Sequence, residues 1–227
     1  MKDEDGSENR ISVRDASDER ADRPVVVGIA GGSASGKTAV ARKVVGTLGA
    51  ERTALVPHDA YYRDLSHLPL EERRRVNVDH PDSLETALLV EHLDLLLAGQ
   101  PVEIPCYDYS SHVRLPERRR VEPAPVVVVE GILVLADEEL RRRMDLSVFV
   151  DVPEEERLAR RLRRDVEERG RTPESVREDH EWRVQPMHRE FVGPSRAWAD
   201  IVVEQGGRNQ EAILRIARRV EALLQGS

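Results

Sequence analysis

Residues 28–40 read GIAGGSASGKTAV, and four of them carry the spacing G-x-x-x-x-G-K-[ST]: Gly31, Gly36, Lys37 and Thr38. The apolar run PVVV precedes them, so a strand leads into a glycine-rich turn that opens a helix. In that context backbone N–H groups cradle phosphates, the lysine adds a positive charge, and the threonine hydroxyl can ligate Mg²⁺. A glycine-rich turn with a coincidental lysine is the structural alternative. We predict a phosphate-binding loop made of Gly31, Gly32, Ser33, Ala34, Ser35, Gly36, Lys37, Thr38 and Ala39.

Two acidic residues stand at the ends of other predicted strands. Glu130 closes the run VVVVE, where an acidic residue opposite the loop threonine can hold the metal or its water. Asp59 follows the run ALVP, where a carboxylate can accept the proton of an incoming hydroxyl and help to hold the metal. As alternatives, Glu130 would cap a turn, and Asp59 would cap the next helix while Tyr61 and Tyr62 pack in the core. Gly131 predicts close backbone packing beside Glu130.

The segment NVDHPDSLET concentrates Asp79, His80 and Asp82 around a proline, just before a predicted helix. Carboxylates and an imidazole in such a loop can hydrogen-bond to the hydroxyls of a sugar. The structural alternative is a helix cap formed by Ser83 or Asp82. The residues alone leave both interpretations open.

The segment PCYDYSSHVR sets Tyr107, Tyr109 and His112 within six positions. Aromatic faces stack on a flat base, and an imidazole hydrogen-bonds to base edges. An aromatic loop packed beneath a lid is the alternative. Together with VPHDAYY, this segment favours a small, flat, hydroxylated acceptor over a protein.

The segment RLARRLRRDVEERGR, residues 157–171, is rich in arginine. Leu158, Leu162 and Val166 recur every fourth residue and predict a narrow apolar stripe. Arginines occupy an adjacent row and the end of the helix: Arg157, Arg161, Arg164, Arg169 and Arg171. A mobile helix with this pattern can close over phosphates, neutralise charge in the transition state and exclude water. A solvated helix with Glu–Arg pairs is the alternative; beside a phosphate-binding loop we expect a lid, at about 154–172.

The elements that must position these groups alternate along the chain. We predict strands at 25–30, 53–57, 126–130, 146–152 and 201–204, and helices at 37–47, 84–97, 138–144, 154–169, 173–191 and 210–224. The nearly all-valine run at 126–130 is typical of a central parallel strand covered on both faces. The alternation predicts an α/β fold with a doubly wound, mostly parallel five-stranded sheet and a helical lid. In such sheets ligands bind beyond the carboxyl ends of the strands.

The composition limits the partners and the cellular compartment that we expect for this protein. The chain has 227 residues and a formal net charge of −8, which disfavours sequence-independent binding to nucleic acid. No apolar run approaches the roughly 20 residues that span a bilayer, so we expect no membrane segment. Cys106 is the only cysteine, which excludes an intrachain disulfide and suits a cytoplasmic protein. Residues 1–23 are polar and charged and predict a disordered tail, with the domain at 24–227.

Taken in order, these segments resemble the uridine kinases (uridine–cytidine kinases) of the P-loop nucleoside kinase group. The resemblance covers roughly residues 25–207 and rests on GIAGGSASGKT, HDAYYRDL, DHPDS, YDYSSHVR, VEGILVL, RLRRDVEERGR and VGPSRAWADIVVEQGG. It implies Mg²⁺-dependent transfer of the γ-phosphoryl group of ATP or GTP to the 5′-hydroxyl of uridine or cytidine, in pyrimidine salvage. It also implies a homo-oligomer, commonly a tetramer, restrained by UTP and CTP.

The resemblance implies a role for each matching position. Asp59 matches the catalytic base, assisted by Lys37 and Arg164. The positions implied around Mg²⁺ are Thr38, Asp59 and Glu130, and those implied at the donor phosphates, besides the loop, are Arg161 and Arg164. The positions implied at the nucleoside are Asp59, Tyr62, Asp79, Tyr107, Tyr109, His112, Arg169 and Asp179. Arg171 matches a further lid arginine.

The chain departs from the family pattern after the lid, in REDHEWRVQPMH. Asp179 and His180 replace a glutamine and a tyrosine, and Gln185 replaces a basic residue. The replaced glutamine helps to bind nucleoside in the family. Because an ionised carboxylate accepts but cannot donate, Asp179 would favour an exocyclic amine over a carbonyl. We therefore expect cytidine to be used at least as well as uridine.

Two alternative functions remain open from the residues alone. The same fold could serve another acceptor, such as a phosphorylated sugar or pantothenate, although the aromatic loop at 107–112 speaks against a sugar phosphate. A non-catalytic nucleotide-binding module would bind ATP and Mg²⁺ without acceptor-dependent release of ADP. The sequence has no N-K-x-D segment, which argues against a guanine-specific switch.

Overall fold

A five-stranded parallel sheet forms the centre of the protein in a computed structural model that describes residues 23–226. The strands of the chain are β1 (Val25–Gly31), β2 (Thr53–Pro57), β3 (Val102–Asp108), β4 (Val113–Val121), β5 (Val126–Glu130), β6 (Leu146–Asp151) and β7 (Ile201–Glu204). The central sheet has the order β2-β5-β1-β6-β7, and each neighbouring pair is parallel. All five residues of β5 are buried. The predicted fold class is confirmed, with strand bounds that agree within one residue.

Helices cover both faces of this sheet. The helices are α1 (Lys37–Leu48), α2 (Leu70–Arg73), α3 (Thr86–Leu97), α4 (Glu138–Arg141), α5 (Glu154–Glu167), α6 (Pro173–Asp179), α7 (Gln185–Met187) and α8 (Gln210–Leu224). On one face Val44 of α1 and Ile216 of α8 pack against Val27 and Val128. On the other face Leu93 of α3 joins a second core cluster. Burial on both faces explains why the strands are nearly continuous in valine and isoleucine.

The sequence analysis did not predict the antiparallel hairpin of β3 and β4, which it treated partly as a loop. This hairpin stands apart from the central sheet. Pro105 lies where the register shifts, next to Cys106, and most of β4 is exposed and rich in arginine. Proline is tolerated at such irregularities, but it weakens the strand signal in the sequence. The hairpin carries the aromatic loop predicted to contact an acceptor.

The helix predicted at 173–191 is interrupted rather than continuous. After α6 the chain widens into two π-helical turns, His180–Val184 and His188–Val192, on either side of α7. Pro186 lies within α7 and has no N–H to donate to a carbonyl four residues earlier. Proline at this point explains why the hydrogen-bond ladder changes its period. Insertions of this kind are frequent at functional sites.

The predicted tail at 1–23 lies outside the described residues except for Arg23, which pairs with Asp145 of the loop before β6. The last residue of the predicted domain, Ser227, also lies outside them. Within residues 23–226 no helix combines the length and the apolar character needed to cross a bilayer.

Candidate phosphoryl-transfer site

The phosphate-binding loop connects β1 to α1 with the backbone geometry that its glycines permit. Gly31 has φ 148° and Gly36 has φ 92°, both in the region that favours glycine. A Cβ added to Gly31 would lie 2.6 Å from the carbonyl oxygen of Val150. Gly36 precedes α1 without a side-chain cap, which leaves the first N–H groups of the helix for a ligand. Lys37 is 8% exposed at the start of the helix.

Thr38 and Glu130 meet beside this loop. The Thr38 hydroxyl donates a hydrogen bond of 3.0 Å to Oε1 of Glu130. Within the described part of the chain Oε2 of Glu130 is buried without a hydrogen-bond partner. Burial raises the pKa of Glu130, and the positive charge of Lys37 opposes this effect. A buried carboxylate oxygen without a partner, next to a threonine hydroxyl, suits a divalent cation or its water.

Asp59 lies just beyond β2, in the short 3₁₀ turn His58–Tyr61. Its Oδ1 is also buried without a hydrogen-bond partner among the described residues. Burial is the main cause of the raised pKa of Tyr62, and the negative charge of Asp59 raises it further. The same charge also raises the pKa of Glu130. The next helix, α2, is preceded by Pro69 and has no side-chain cap, so the helix-capping alternative for Asp59 is wrong. Tyr61 is fully buried in the core, as the alternative for the tyrosines proposed.

Gly131 and His58 bring the ends of β5 and β2 together. A Cβ added to Gly131 would lie 2.5 Å from Cβ of His58, which confirms the predicted close packing. The His58 ring is 1% exposed, and its Nε2 lies 3.1 Å from the hydroxyl of Thr86. Burial lowers the pKa of His58 to about 4, so the ring is neutral at physiological pH. The sequence analysis missed His58 because a histidine before a candidate base has no pattern of its own.

The predicted metal positions fit Mg²⁺ only together with phosphate. Thr38, Asp59 and Glu130 supply one hydroxyl and two carboxylates at the carboxyl ends of adjacent elements. No group of three or more His, Cys, Asp or Glu residues within residues 23–226 could hold a metal ion by itself. Mg²⁺ is commonly bound by one or two carboxylates plus the phosphates of a substrate. The orphaned oxygens of Asp59 and Glu130 are consistent with that mode.

Asp79 lies on the acceptor side of the site and is 8% exposed. Burial raises the pKa of Asp79, the positive charge of Arg161 opposes this, and the charges of Asp179 and Asp59 add to it. The Ser83 hydroxyl donates to the carbonyls of Val78 and His80, both at 2.7 Å, and so shapes the loop around Asp79.

Neither Ser83 nor Asp82 caps the following helix. Helix α3 begins at Thr86, and Glu85 precedes it without a side-chain cap. The capping alternative is therefore wrong for both residues. His80 instead accepts from the backbone N–H of Asp82 at 3.2 Å.

Three tyrosines cluster next to Asp59. The Tyr62 and Tyr107 ring centroids are 5.3 Å apart, those of Tyr107 and Tyr109 are 5.4 Å apart, and those of Tyr62 and Tyr109 are 6.4 Å apart. The Tyr107 hydroxyl is buried without a hydrogen-bond partner in the described structure, and burial raises its pKa to about 12. A cavity of about 280 Å³ opens beside Tyr62 and Tyr107 and is also lined by Val78 and His80.

His112 stands at the tip of the hairpin with φ 56°. Burial lowers its pKa, and the positive charges of Arg74, Arg171 and Arg169 act in the same direction. The Arg169 guanidinium carbon lies 5.7 Å from the ring centroid of Tyr109. Besides burial, the charge of Asp59 raises the pKa of Tyr62, Asp79 and Tyr109, so these three side chains lie near it. Tyr107 and Arg169 join this group through their ring contacts with Tyr62 and Tyr109.

Helix α5, the predicted lid, buries charged residues and not its predicted apolar stripe. Arg157 is 5% exposed, Arg161 8% and Asp165 0%, whereas Val166 is 37% exposed. The predicted stripe of Leu158, Leu162 and Val166 is therefore not the buried face. The buried face lies against the phosphate-binding loop, where charged side chains have phosphate-binding groups as neighbours.

Two arginines of this helix donate hydrogen bonds to the loop, and a third packs against it. Arg161 Nη1 donates to the hydroxyl of Ser33 at 3.0 Å, and Arg160 Nη1 donates to the carbonyl of Ser35 at 3.0 Å. A Cβ added to Gly32 would lie 2.6 Å from Nη1 of Arg157. These contacts rule out a merely solvated helix. The sequence analysis assigned no role to Arg160, because only tertiary contact distinguishes it from its neighbours.

Asp165 and Asp179 anchor the arginine cluster. Arg164 Nε donates to Oδ1 of Asp165 at 2.8 Å, and Arg169 and Arg171 lie within 4 Å of the same carboxylate. Arg161 Nη2 donates to Oδ2 of Asp179 at 2.6 Å. The i,i+4 spacing of Arg161 and Asp165 is the sequence signal that could have identified Asp165.

Asp179 binds arginines, whereas the sequence predicts a carboxylate that is free to accept a hydrogen bond from the nucleoside base. Besides Arg161, Arg171 approaches its Oδ2 at 3.3 Å and Arg183 approaches its Oδ1 at 3.3 Å. A carboxylate that accepts hydrogen bonds from two guanidinium groups and pairs with a third has less capacity left for an exocyclic amine. These contacts weaken the physical reason for a cytidine preference, which stays a prediction.

Known proteins place this geometry in a family. The family model described as "Phosphoribulokinase / Uridine kinase family" matches residues 26–212. A uridine kinase of Chloroflexus aurantiacus is 54% identical over 204 residues, covering 90% of this chain and 98% of that protein. A uridine kinase of Chloroflexus aggregans is 55% identical over 202 residues, covering 89% and 97%.

A solved structure shares the fold at low identity. Phosphoribulokinase from Rhodobacter spheroides superposes with a TM-score of 0.62 at 16% identity, covering 80% of this chain and 70% of that one. The resemblance drawn from the seven sequence segments is confirmed by these relatives and by the family model. The chain is thus a P-loop kinase, an enzyme that belongs to the phosphoribulokinase/uridine kinase family.

Proposed function

We propose that this enzyme transfers the γ-phosphoryl group of ATP, or of GTP, to the 5′-hydroxyl of uridine or cytidine, as a step of pyrimidine salvage. One observation carries the proposal: Asp59 has an orphaned carboxylate oxygen, and it lies near enough to Glu130, Tyr62 and Tyr109 for its charge to raise the pKa of each beyond the effect of burial. A base at that point can take the proton of an alcohol while the phosphate loop holds the donor. The close relatives named uridine kinase support the choice of acceptor.

The donor side acts by charge and position. The backbone N–H groups before Lys37 would bind the phosphates, and the lysine would neutralise charge on the transferred group. Arg161 and Arg164 would add positive charge from the lid, where burial strengthens each interaction. Thr38, Asp59 and Glu130 would hold Mg²⁺ or its water, and the bound ion would supply positive charge at the phosphates.

The acceptor side selects the alcohol. Asp59 would accept the proton of the 5′-hydroxyl, and Asp79 would accept hydrogen bonds from the ribose hydroxyls. Stacking on Tyr107 and Tyr109, with Tyr62 next to them, suits a pyrimidine ring. Arg169 approaches the ring of Tyr109, and its charge also acts on His112, so both could contact a nucleoside stacked on these tyrosines. We assign Asp179 to positioning the lid arginines instead of reading the base.

A phosphorylated acceptor fits this pocket poorly. Asp59 and Asp79 contribute two negative charges on the acceptor side, and each affects the protonation of its neighbours. A sugar phosphate would need more cations there than a neutral nucleoside does. This electrostatic argument favours a nucleoside over the phosphoribulokinase type of substrate.

Coupled release of ADP tests the proposal with ATP, Mg²⁺ and a panel of uridine, cytidine, adenosine, pantothenate and ribulose 5-phosphate. We expect turnover with uridine and cytidine, and kcat about 10²-fold lower in Asp59→Asn with ATP binding retained. The matched control is Glu91→Gln, which removes an exposed carboxylate on α3 away from the cavity. Turnover only with a non-nucleoside acceptor, or no acceptor-dependent ADP at all, would overturn the proposal.

By the same family resemblance we propose a cytoplasmic homotetramer that binds small molecules and neither nucleic acid nor membranes. Light scattering coupled to size-exclusion chromatography tests the assembly. A mass four times that of the chain is the expected result.

A further inference from the structure

Arg114 of β4 joins the loops that line the acceptor side of the site. Its side chain is 15% exposed. Nε donates to the carbonyl of Tyr62 at 2.8 Å, and Nη2 donates to the carbonyl of Tyr61 at 3.0 Å. Nη1 lies 2.6 Å from Oε2 of Glu85. All three guanidinium nitrogens are therefore engaged, and each partner belongs to a segment next to Asp59 or next to the Asp79 loop.

The two carbonyls that Arg114 binds lie at the end of the 3₁₀ turn that carries Asp59. Carbonyls at the end of a helical turn lack partners within the turn and need donors from elsewhere. The backbone N–H of Glu85 supplies a second donor to Tyr61 at 2.8 Å. Arg114 and Glu85 together thus tie the Asp59 turn to the segment that follows Asp79.

Arg114 also fixes the hairpin that carries the aromatic loop. It is the register partner of Tyr107 in β3, and its backbone N–H donates to Oδ1 of Asp64 at 3.0 Å. A two-stranded hairpin has little stability of its own, so contacts with the rest of the domain decide where it lies. The register partner Tyr107 packs on Tyr62, whose carbonyl Arg114 binds.

The shape of the guanidinium matters for this task. A planar fork can donate to two adjacent carbonyls and a carboxylate at once, with little freedom to lose. A lysine ammonium at the same place keeps the charge but cannot span the three acceptors in fixed directions. Arg114→Lys therefore separates geometry from charge.

We propose that Arg114 is a positioning residue that sets the distance between Asp59 and the aromatic loop, and so aligns the acceptor hydroxyl. This inference rests on the proposed nucleoside kinase function. Arg114 contacts neither the phosphate loop nor the lid through any of these bonds. Its loss therefore affects the acceptor and leaves donor binding unchanged.

Steady-state kinetics of Arg114→Lys tests this inference. We expect kcat/KM for the nucleoside to fall roughly 10–100-fold, the scale of a misplacement of about 1 Å, with a raised nucleoside KM and a lowered kcat. The dissociation constant of ATP, measured by calorimetry without acceptor, should stay within about twofold. The matched control is Arg119→Lys on the same strand, where Arg119 donates to the carbonyl of Leu55 away from the acceptor side; it should keep wild-type kinetics.

The outcomes separate this inference from the proposed function. Turnover of the wild-type enzyme on the acceptor panel tests the proposed function. The ratio of kcat/KM between Arg114→Lys and wild type tests the role of Arg114, and it is measured with whichever acceptor the wild type uses. Equal losses in acceptor use and ATP binding, in step with a lowered melting temperature, would show a purely structural residue. Unchanged kinetics would also overturn the inference. Circular dichroism of Arg114→Lys, compared with wild type, identifies a variant that does not fold; in that case Glu85→Gln, which weakens one bond of the fork, must show the same acceptor-specific loss.

Discussion

Asp179→Asn distinguishes two roles for one carboxylate. If Asp179 contacts the pyrimidine, asparagine adds a donor that suits the uracil carbonyl and disfavours the cytosine amine. If Asp179 holds arginines, the substitution weakens the lid cluster and leaves the choice of base alone. The structure favours the second role, because Arg161, Arg171 and Arg183 occupy both carboxylate oxygens.

The expected size of each effect follows from exposure. The bond of 2.6 Å between Arg161 and Asp179 joins side chains that are 10% and 14% exposed, so its charge-assisted contribution is about 1.5–3 kcal/mol. The pairs with Arg171 and Arg183, about one third exposed, each add about 0–1 kcal/mol. Asparagine keeps one acceptor oxygen, so the expected loss of stability is about 2–3 kcal/mol. That corresponds to a melting temperature lower by roughly 4–12 °C for a domain of this size.

Two measurements on the same variant decide between the roles. Calorimetry or circular dichroism gives the melting temperature, and competition between uridine and cytidine gives the ratio of their kcat/KM values. We expect a lowered melting temperature and a ratio within about twofold of wild type. A base contact would instead shift the ratio toward uridine by about 10–100-fold, the equivalent of one hydrogen bond to a charged group.

A neighbouring substitution controls for local disturbance. Glu181→Gln changes an exposed carboxylate two residues away and should alter neither quantity. A tenfold or larger shift of the ratio in Asp179→Asn, with the melting temperature unchanged, would refute the assignment to the arginine cluster. The cytidine preference expected from the sequence would then regain its physical basis.

Three other substitutions test separate parts of the site. Lys37→Ala should weaken ATP binding or transfer at least tenfold, because the lysine supplies charge at the transferred group; unchanged calorimetric affinity together with unchanged turnover would remove the loop from the mechanism. Asp79→Asn should raise the melting temperature at pH 7 while nucleoside binding is lost. Burial raises the pKa of Asp79 above its ordinary 3.8, so the ionised carboxylate lowers the stability of the folded state at higher pH. The gain in melting temperature should therefore vanish as the pH falls below about 4. Gly131→Ala should destabilise the protein by about 1–3 kcal/mol in a denaturant titration, because the new methyl group meets His58, whereas Gly46→Ala, with open space around it, should be neutral or stabilising.

The central sheet could be predicted from the sequence because its signals are local. The valine-rich runs of β1 and β5, and the glycine spacing after β1, each specify an element and its end without reference to distant residues. The carboxyl ends of parallel strands meet at one edge, so Asp59 and Glu130 follow from the same reasoning. In this sheet the structure that each segment prefers by itself is also the structure that the whole fold requires.

The lid and the hairpin could not be predicted in the same way. The apolar periodicity of α5 predicts that its leucines face the interior. Instead Arg157, Arg161 and Asp165 are buried, because the neighbouring surface is a phosphate-binding loop. Hydrophobic patterning does not encode a polar neighbour. Likewise β4 is stabilised by pairing with β3 and by bonds such as those of Arg114, none of which appears in its own sequence.

The register of the sheet sets the spacing on which phosphoryl transfer depends. Glu130 is the partner of Pro57 on one side and of Ile29 on the other, so β2 and β5 end at the same height and β1 continues two residues beyond it. Asp59 lies two residues beyond Pro57, and Gly31 lies two residues beyond Ile29. Two strand spacings, roughly 10 Å, therefore separate the strand that leads to the candidate base from the strand that leads to the phosphate loop, and Glu130 lies on the strand between them. That gap has room for a terminal phosphoryl group and an attacking oxygen in line with it, while the surrounding loops determine which alcohol supplies the oxygen.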